Sequence, residues 1–235
     1  MSMSTEKQFK SAARIAGALF LVQMTAASVS HSALLAPILG DQDFLTRMST
    51  DSTTVTIAML LDLLCGAAVF GISVLLFPLL KKFNENIALW YVGLRLNEWV
   101  CVTVSGIFLM TLLSVSDGYI HTNTSDQGYL LTLGTYLLKA RGITKILMLL
   151  GFCLSSTLFY YLLFVAKLLP RFITVWGLIG IAFLFAEVMS NIFGRSLGGI
   201  VLMLPMGLNE IFLGIWLIVK GFDSSAISTV SRAAR

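Results

Sequence analysis

Four carboxylates and a guanidinium lie inside stretches that are otherwise apolar enough to dissolve in lipid: Asp62, Glu98, Glu187, Glu210 and Arg95. An ionisable side chain at the centre of a spanning helix costs about 2.5–3.5 kcal/mol even on the lenient insertion scale. Groups placed there at such a cost require an ionic partner, access to water, or a task such as holding a proton, an ion or a small polar ligand. Arg95 and Glu98 stand three residues apart, so on a helix they share a face and can pair. Asn191 follows Glu187 by one turn on its own face, and Lys145 follows Arg141 in the same way.

These residues are carried by long apolar blocks. The chain is 57% hydrophobic and 12% charged, about half the charge content of an ordinary soluble domain. Six blocks stand out: 15–38, 55–80, 88–115, 142–168, 172–193 and 200–219. Each is at least as long as the ~20 residues that cross a ~30 Å hydrocarbon core at 1.5 Å per residue. Backbone groups in lipid must be satisfied within their own segment, so the blocks are helices. The expected fold class is therefore an all-α integral membrane bundle of six transmembrane helices. Residues 1–13 form a segment before the bundle, 14–221 the bundle, and 222–235 a polar, Ser-rich tail read as disordered.

Charge sets the expected orientation. Ten basic residues (Lys7, Lys10, Arg14, Lys81, Lys82, Lys167, Arg171, Lys220, Arg232 and Arg235) flank the ends on the side of the termini, against four (Arg47, Lys139, Arg141, Arg195) on the other side. The positive-inside bias then puts both termini in the cytoplasm. The net charge of +4 is explained by these flanks and is no argument for nucleic acid.

Among the connections, residues 39–54 read as a polar outer loop with Ser52, Thr53 and Thr54 as N-caps of the second span. Residues 116–128 read as an outer loop, followed by a short interfacial helix over 129–138 before the fourth span. The first span is read as a retained helix, although its basic start and apolar run also resemble a secretory signal.

Depth sorts the ionisable groups into layers. Arg95 lies roughly 10 Å from the cytoplasmic side, with Glu98 and Glu210 at roughly 15 Å. Asp62 and Glu187 lie roughly 10 Å below the outer surface, where Lys145 and His31 also enter. Two clusters are expected: Arg95, Glu98 and Glu210 at mid-depth, with Asn97 and Asn209 nearby, and Asp62, Glu187, Lys145 and His31 in the outer half. With Arg141 taken as interfacial, four acids face two bases. Pro205 interrupts the last span about a turn before Glu210, as broken helices beside transporter sites do.

Signals for catalysis are weak. Only His31 and His121 are present, and no group of His, Cys, Asp and Glu has the spacing of a metal site. Cys65, Cys101 and Cys153 read as packing residues. Ser30, His31 and Asp62 contain the residue types of a nucleophilic site, but neighbours on an α-helix point about 100° apart. No cofactor, metal or catalytic residue is expected.

Several segments together resemble a bacterial membrane family. They are RIAGALFL from Arg14, FPLLKKFNENIALW from Phe77, LRLNEW around Arg95 and Glu98, LPRFITVWGLIG from Leu169, and LNEIFLGIWLIVKG around Glu210. The chain is similar to the family known as domain of unknown function 4386. That resemblance implies a six-helix, multi-pass protein of a prokaryotic inner membrane and points to Asp62, Arg95, Glu98 and Glu210. It implies no activity. Glu187 and Asn191 rest on depth alone.

Taken together, the residues favour a non-enzymatic carrier, sensor or accessory subunit with a polar site between helices, contacting membrane lipids and a small polar ligand or proton. Two alternatives stand beside it. One is an intramembrane enzyme acting on a lipid or isoprenoid; the other is a structural subunit whose charges clamp the packing and whose protein partner the sequence does not name.

Overall fold

The computed structural model describes residues 3–223. The tail expected over 222–235 therefore lies outside the described residues from 224 onward. All elements among the described residues are helical: α1 (Met3–Ser28), a π-helical turn (Val29–Leu35), α2 (Ala36–Leu39), α3 (Phe44–Thr50), α4 (Ser52–Leu80), α5 (Glu85–His121), α6 (Thr124–Val165), α7 (Arg171–Ile192) and α8 (Ile200–Val219). Six helical runs are long and apolar enough to cross a membrane, the first being the unbroken path Phe9–Leu39 through α1, the π turn and α2. The protein is a polytopic membrane protein.

The spans form a ring in chain order. α1 packs on α4, α4 on α5, α5 on α6, α6 on α7, α7 on α8, and α8 returns to α1. Six is an even number, so both ends of the chain emerge together: Phe9, Ala13 and Phe222 share one apolar cluster, and the Asp223 amide donates to the Leu168 carbonyl at 3.0 Å. This is called the terminal end below, and the opposite one the α3 end.

Small residues let the ring close tightly, as expected where lipid offers no hydrophobic drive between helices. A Cβ on Gly17 would sit 2.5 Å from the Gly214 carbonyl oxygen across the α1–α8 seam. A Cβ on Gly177 would overlap the Tyr160 ring across the α6–α7 seam. The terminal half of the ring is filled by rings. Phe159 stacks on Tyr91 at 5.1 Å between centroids and lies 6.3 Å from Phe20, with Tyr160 edge-on at 5.5 Å.

Two connections differ from the sequence reading. The polar stretch 116–128 is not a loop: α5 continues to His121 and α6 begins at Thr124, leaving Thr122 and Asn123 as the link. No separate interfacial helix precedes the fourth span, because 129–138 belong to α6. Polar residues suit a helix that has left the apolar layer, so their character marked the end of the span rather than the end of the helix. Within 39–54, α3 buries Phe44, Leu45 and Met48 against α5. The residue before α4 is Asp51, with no side-chain cap, rather than one of Ser52, Thr53 and Thr54.

Candidate ligand-binding cavity

The π turn is the local feature that builds the α3 end of the site. Pro37 cannot donate a backbone hydrogen bond, and its ring crowds the carbonyl four residues earlier. The preceding turn widens to accommodate it, and the Ala36 amide bonds to the His31 carbonyl five residues back. Widening alters the angle between neighbours, so Ser30 and His31 both reach Asp62. The Ser30 hydroxyl donates to Asp62 Oδ1 at 2.5 Å and to the Ala58 carbonyl at 3.0 Å. His31 Nδ1 stands 3.8 Å from the same Oδ1. From α6, Arg141 donates to Asp62 Oδ2 at 3.3 Å. Both hydrogen-bond contacts of the Ser30 hydroxyl are to Asp62 and the Ala58 carbonyl and none is to His31, so the trio lacks the Ser–His contact of a Ser–His–Asp triad.

A second constellation lies deeper, between α5 and α6. Arg95 and Glu98 are 2% and 4% exposed. Arg95 Nη1 donates to Glu98 Oε2 at 3.0 Å, and Nη2 donates to Ser156 Oγ at 3.0 Å. The other carboxylate oxygen, Glu98 Oε1, accepts from Ser155 Oγ at 2.5 Å. The guanidinium also lies 5.4 Å from the Tyr91 ring and 5.0 Å from that of Phe152, within cation–π range. This is an ion-pair clamp in which both carboxylate oxygens are used, while Arg95 Nε has no partner among the described residues.

Glu210, at 4% exposure, is held differently. Its one hydrogen bond is from Gln23 Nε2 on α1, at 3.4 Å, and it makes no ion pair within 4 Å among the described residues. Gln23 Oε1 is buried with no partner. Neighbouring Asn209 turns away from Glu210, accepting from Tyr160 Oη at 2.5 Å and donating to the Ile173 carbonyl at 3.0 Å.

Inside the ring lies a cavity of about 340 Å³ to which all six spans contribute wall. Its polar wall includes Gln23, His31, Asp62, Glu98, Arg141, Lys145 and Glu210; Met24, Met148, Met203, Met206 and Phe152 form much of the rest. Lys145 at the α3 end is exposed, whereas Glu98 and Glu210 are buried. Beyond them toward the terminal end come Arg95 and then the aromatic stack, which fills the ring. The cavity is thus a pit with a basic rim and an acidic floor.

A family model described as a domain of unknown function (DUF4386) matches residues 15–221. The chain belongs to that family. No curated protein and no solved structure matches it.

The DUF4386 fold brings together some of the sequence-predicted residues and separates others. Asp62, Glu98, Glu210, Lys145 and His31 line one cavity. Arg95 stands behind Glu98 and does not line it. Asn97 is exposed. Glu187 and Asn191 do not join the outer cluster. Asn191 Nδ2 donates to Glu187 Oε1 at 3.2 Å, Ser196 Oγ donates to Oε1 at 2.8 Å, and the Leu197 and Gly198 amides donate to Oε2, each at 3.0 Å. Glu187 thus ties down the α7–α8 link, whose backbone donors have no helical partner. Axial level placed it beside Asp62, but its direction around the bundle points elsewhere.

Arg141, read as interfacial, turns inward instead, with its side chain 11% exposed. Three acids (Asp62, Glu98, Glu210) therefore face three bases (Arg95, Arg141, Lys145), not four facing two. The sequence reading also missed Gln23, Ser155 and Ser156 as partners, and set Ser30 aside after naming it beside Asp62. Gln23 carries a faint signal, a long amide in the middle of an apolar block; serines in spanning helices are too common to mark.

Proposed function

We propose that this DUF4386 protein is a small-molecule binding or carrier protein whose ligand enters the pit from the α3 end. One observation carries the reading: an interhelical cavity of about 340 Å³, bounded by every span, reaches two buried carboxylates from an exposed rim. A volume of this size falls at the lower end of ordinary ligand sites, which are mostly apolar with a few placed polar groups. A purely structural subunit has no reason to leave such a space, since packing contacts are what hold helices together in lipid. The family resemblance points to a prokaryotic inner membrane, and the basic flanks support termini in the cytoplasm, so that the pit would face outward.

Two native cysteines test this reading without knowledge of the ligand, because Cys65 and Cys101 line the cavity and Cys153 is buried outside it. In sealed vesicles of known orientation, the impermeant cationic reagent trimethylammonioethyl methanethiosulfonate should modify Cys65 and Cys101 from the outward face only and spare Cys153. If all three thiols stay unmodified from both faces until detergent unfolds the protein, no water-filled entrance exists and the proposal fails.

A further inference from the structure

We infer that the floor of the pit recognises an organic cation: an ammonium group, acting as hydrogen-bond donor, on an apolar body. The inference rests on the binding reading above and adds the chemistry of the occupant. One buried carboxylate lines the cavity there without an adequate donor, and beside it lies an amide oxygen that is closed off from the cavity. Glu210 has one hydrogen bond, at 3.4 Å, from Gln23 Nε2. Gln23, 3% exposed, leaves its Oε1 with no partner among the described residues.

A buried acceptor without a donor costs the full desolvation of that group, so native structures rarely leave one. An ammonium offers several N–H donors and a positive charge. One such group can donate to the Glu210 carboxylate and balance its charge. The nearby carboxylate, Glu98, is already closed by Arg95 and Ser155, so Glu210 is the floor carboxylate with capacity left. Above the floor, Met24, Met148, Met203, Met206 and Phe152 present thioethers and a ring, soft groups that adapt to varied apolar shapes. An anion is disfavoured at this floor, and a neutral alkane would leave the carboxylate unserved.

The test uses the full chain in detergent, a neutral thiol reagent (hydroxyethyl methanethiosulfonate), and intact mass to count modified cysteines. Hexylammonium should slow modification of Cys65 and Cys101, whereas hexanol and hexanoate at the same concentration should not. Glu210→Gln should weaken protection by about tenfold or more, the scale of a hydrogen bond to a charged group. Protection is scored in each protein as the ratio of its own labelling rates with and without ligand, so that a change in intrinsic thiol reactivity cancels; should Glu210→Gln misfold, the contrast between hexylammonium and hexanol on the wild type decides.

Equal protection by hexanol overturns the inference, because the floor is then an apolar filling around a self-contained carboxyl–amide pair. Undiminished protection by hexylammonium in Glu210→Gln overturns it as well. A free protein whose Cys65 and Cys101 never react would instead sink the binding reading, so the two failures are distinguishable.

Discussion

Glu98 and Glu210 are both buried carboxylates near the middle of the bundle, yet their surroundings divide the labour of the molecule. Around Glu98 every oxygen is spoken for: Arg95 takes one, Ser155 the other, and Ser156 holds the far side of the guanidinium. Around Glu210 there is a single long contact from an amide whose own oxygen has no donor. Burial alone thus does not mark a functional group in a membrane protein. What separates a fastener from a site is whether the protein completes the group's hydrogen bonds or leaves them open beside a cavity.

The sharpest way to break this comparison is to remove the cation. Arg95→Met leaves Glu98 buried with Ser155 alone, and breaking a buried pair by removing one partner costs about 3–5 kcal/mol. The expected result is loss of monodisperse protein in size-exclusion chromatography and a large fall in thermal stability. Adding Glu98→Met to Arg95→Met should restore much of the loss, since an apolar pair of similar volume strands no charge. If Arg95→Met is as stable as wild type, the clamp is no clamp.

A milder probe is Ser155→Ala, which removes one donor from Glu98 but keeps the ion pair. Interhelical hydrogen bonds in membranes are worth about 0.6–1.7 kcal/mol, so chemical unfolding should show a drop within that range. Glu210→Gln should cost less still, under about 0.6 kcal/mol, because it disturbs no ion pair. A loss comparable to that of Arg95→Met would show Glu210 to be a second fastener and erase the contrast.

Glu187→Gln should leave global unfolding nearly unchanged and act locally. Amide exchange at Leu197 and Gly198, which donate to its carboxylate at 3.0 Å, should accelerate while the α5–α6 seam keeps its protection. Protected amides at 197 and 198 in the variant would mean that something else holds the link.

How far these roles could be read beforehand depended on the kind of information each required. The six spans and the Arg95–Glu98 pair were legible because they are local: block length sets the crossing, and a spacing of three sets a shared face. The helical course of 116–128 was not, since polar residues that leave the apolar layer look the same in a loop and in a helix end. Counting depth from helix ends correctly gave Asp62 and Lys145 a common end of one cavity. The same count placed Glu187 with them, because a rise of 1.5 Å per residue carries no information on which way a helix is turned relative to its neighbours. The π turn that brings Ser30 and His31 to Asp62 had only Pro37 as its trace.

By itself, then, the order of residues determined that this chain crosses a membrane as helices and that its interior must house charge. The reason is the cost of unsatisfied backbone and of ions in hydrocarbon, which acts on each segment independently. Only the closure of the ring decided which charges meet. Pairing Asp62 with Arg141, sending Glu187 to a link and leaving Glu210 open above a floor of rings all depend on rotations and contacts between segments far apart in sequence.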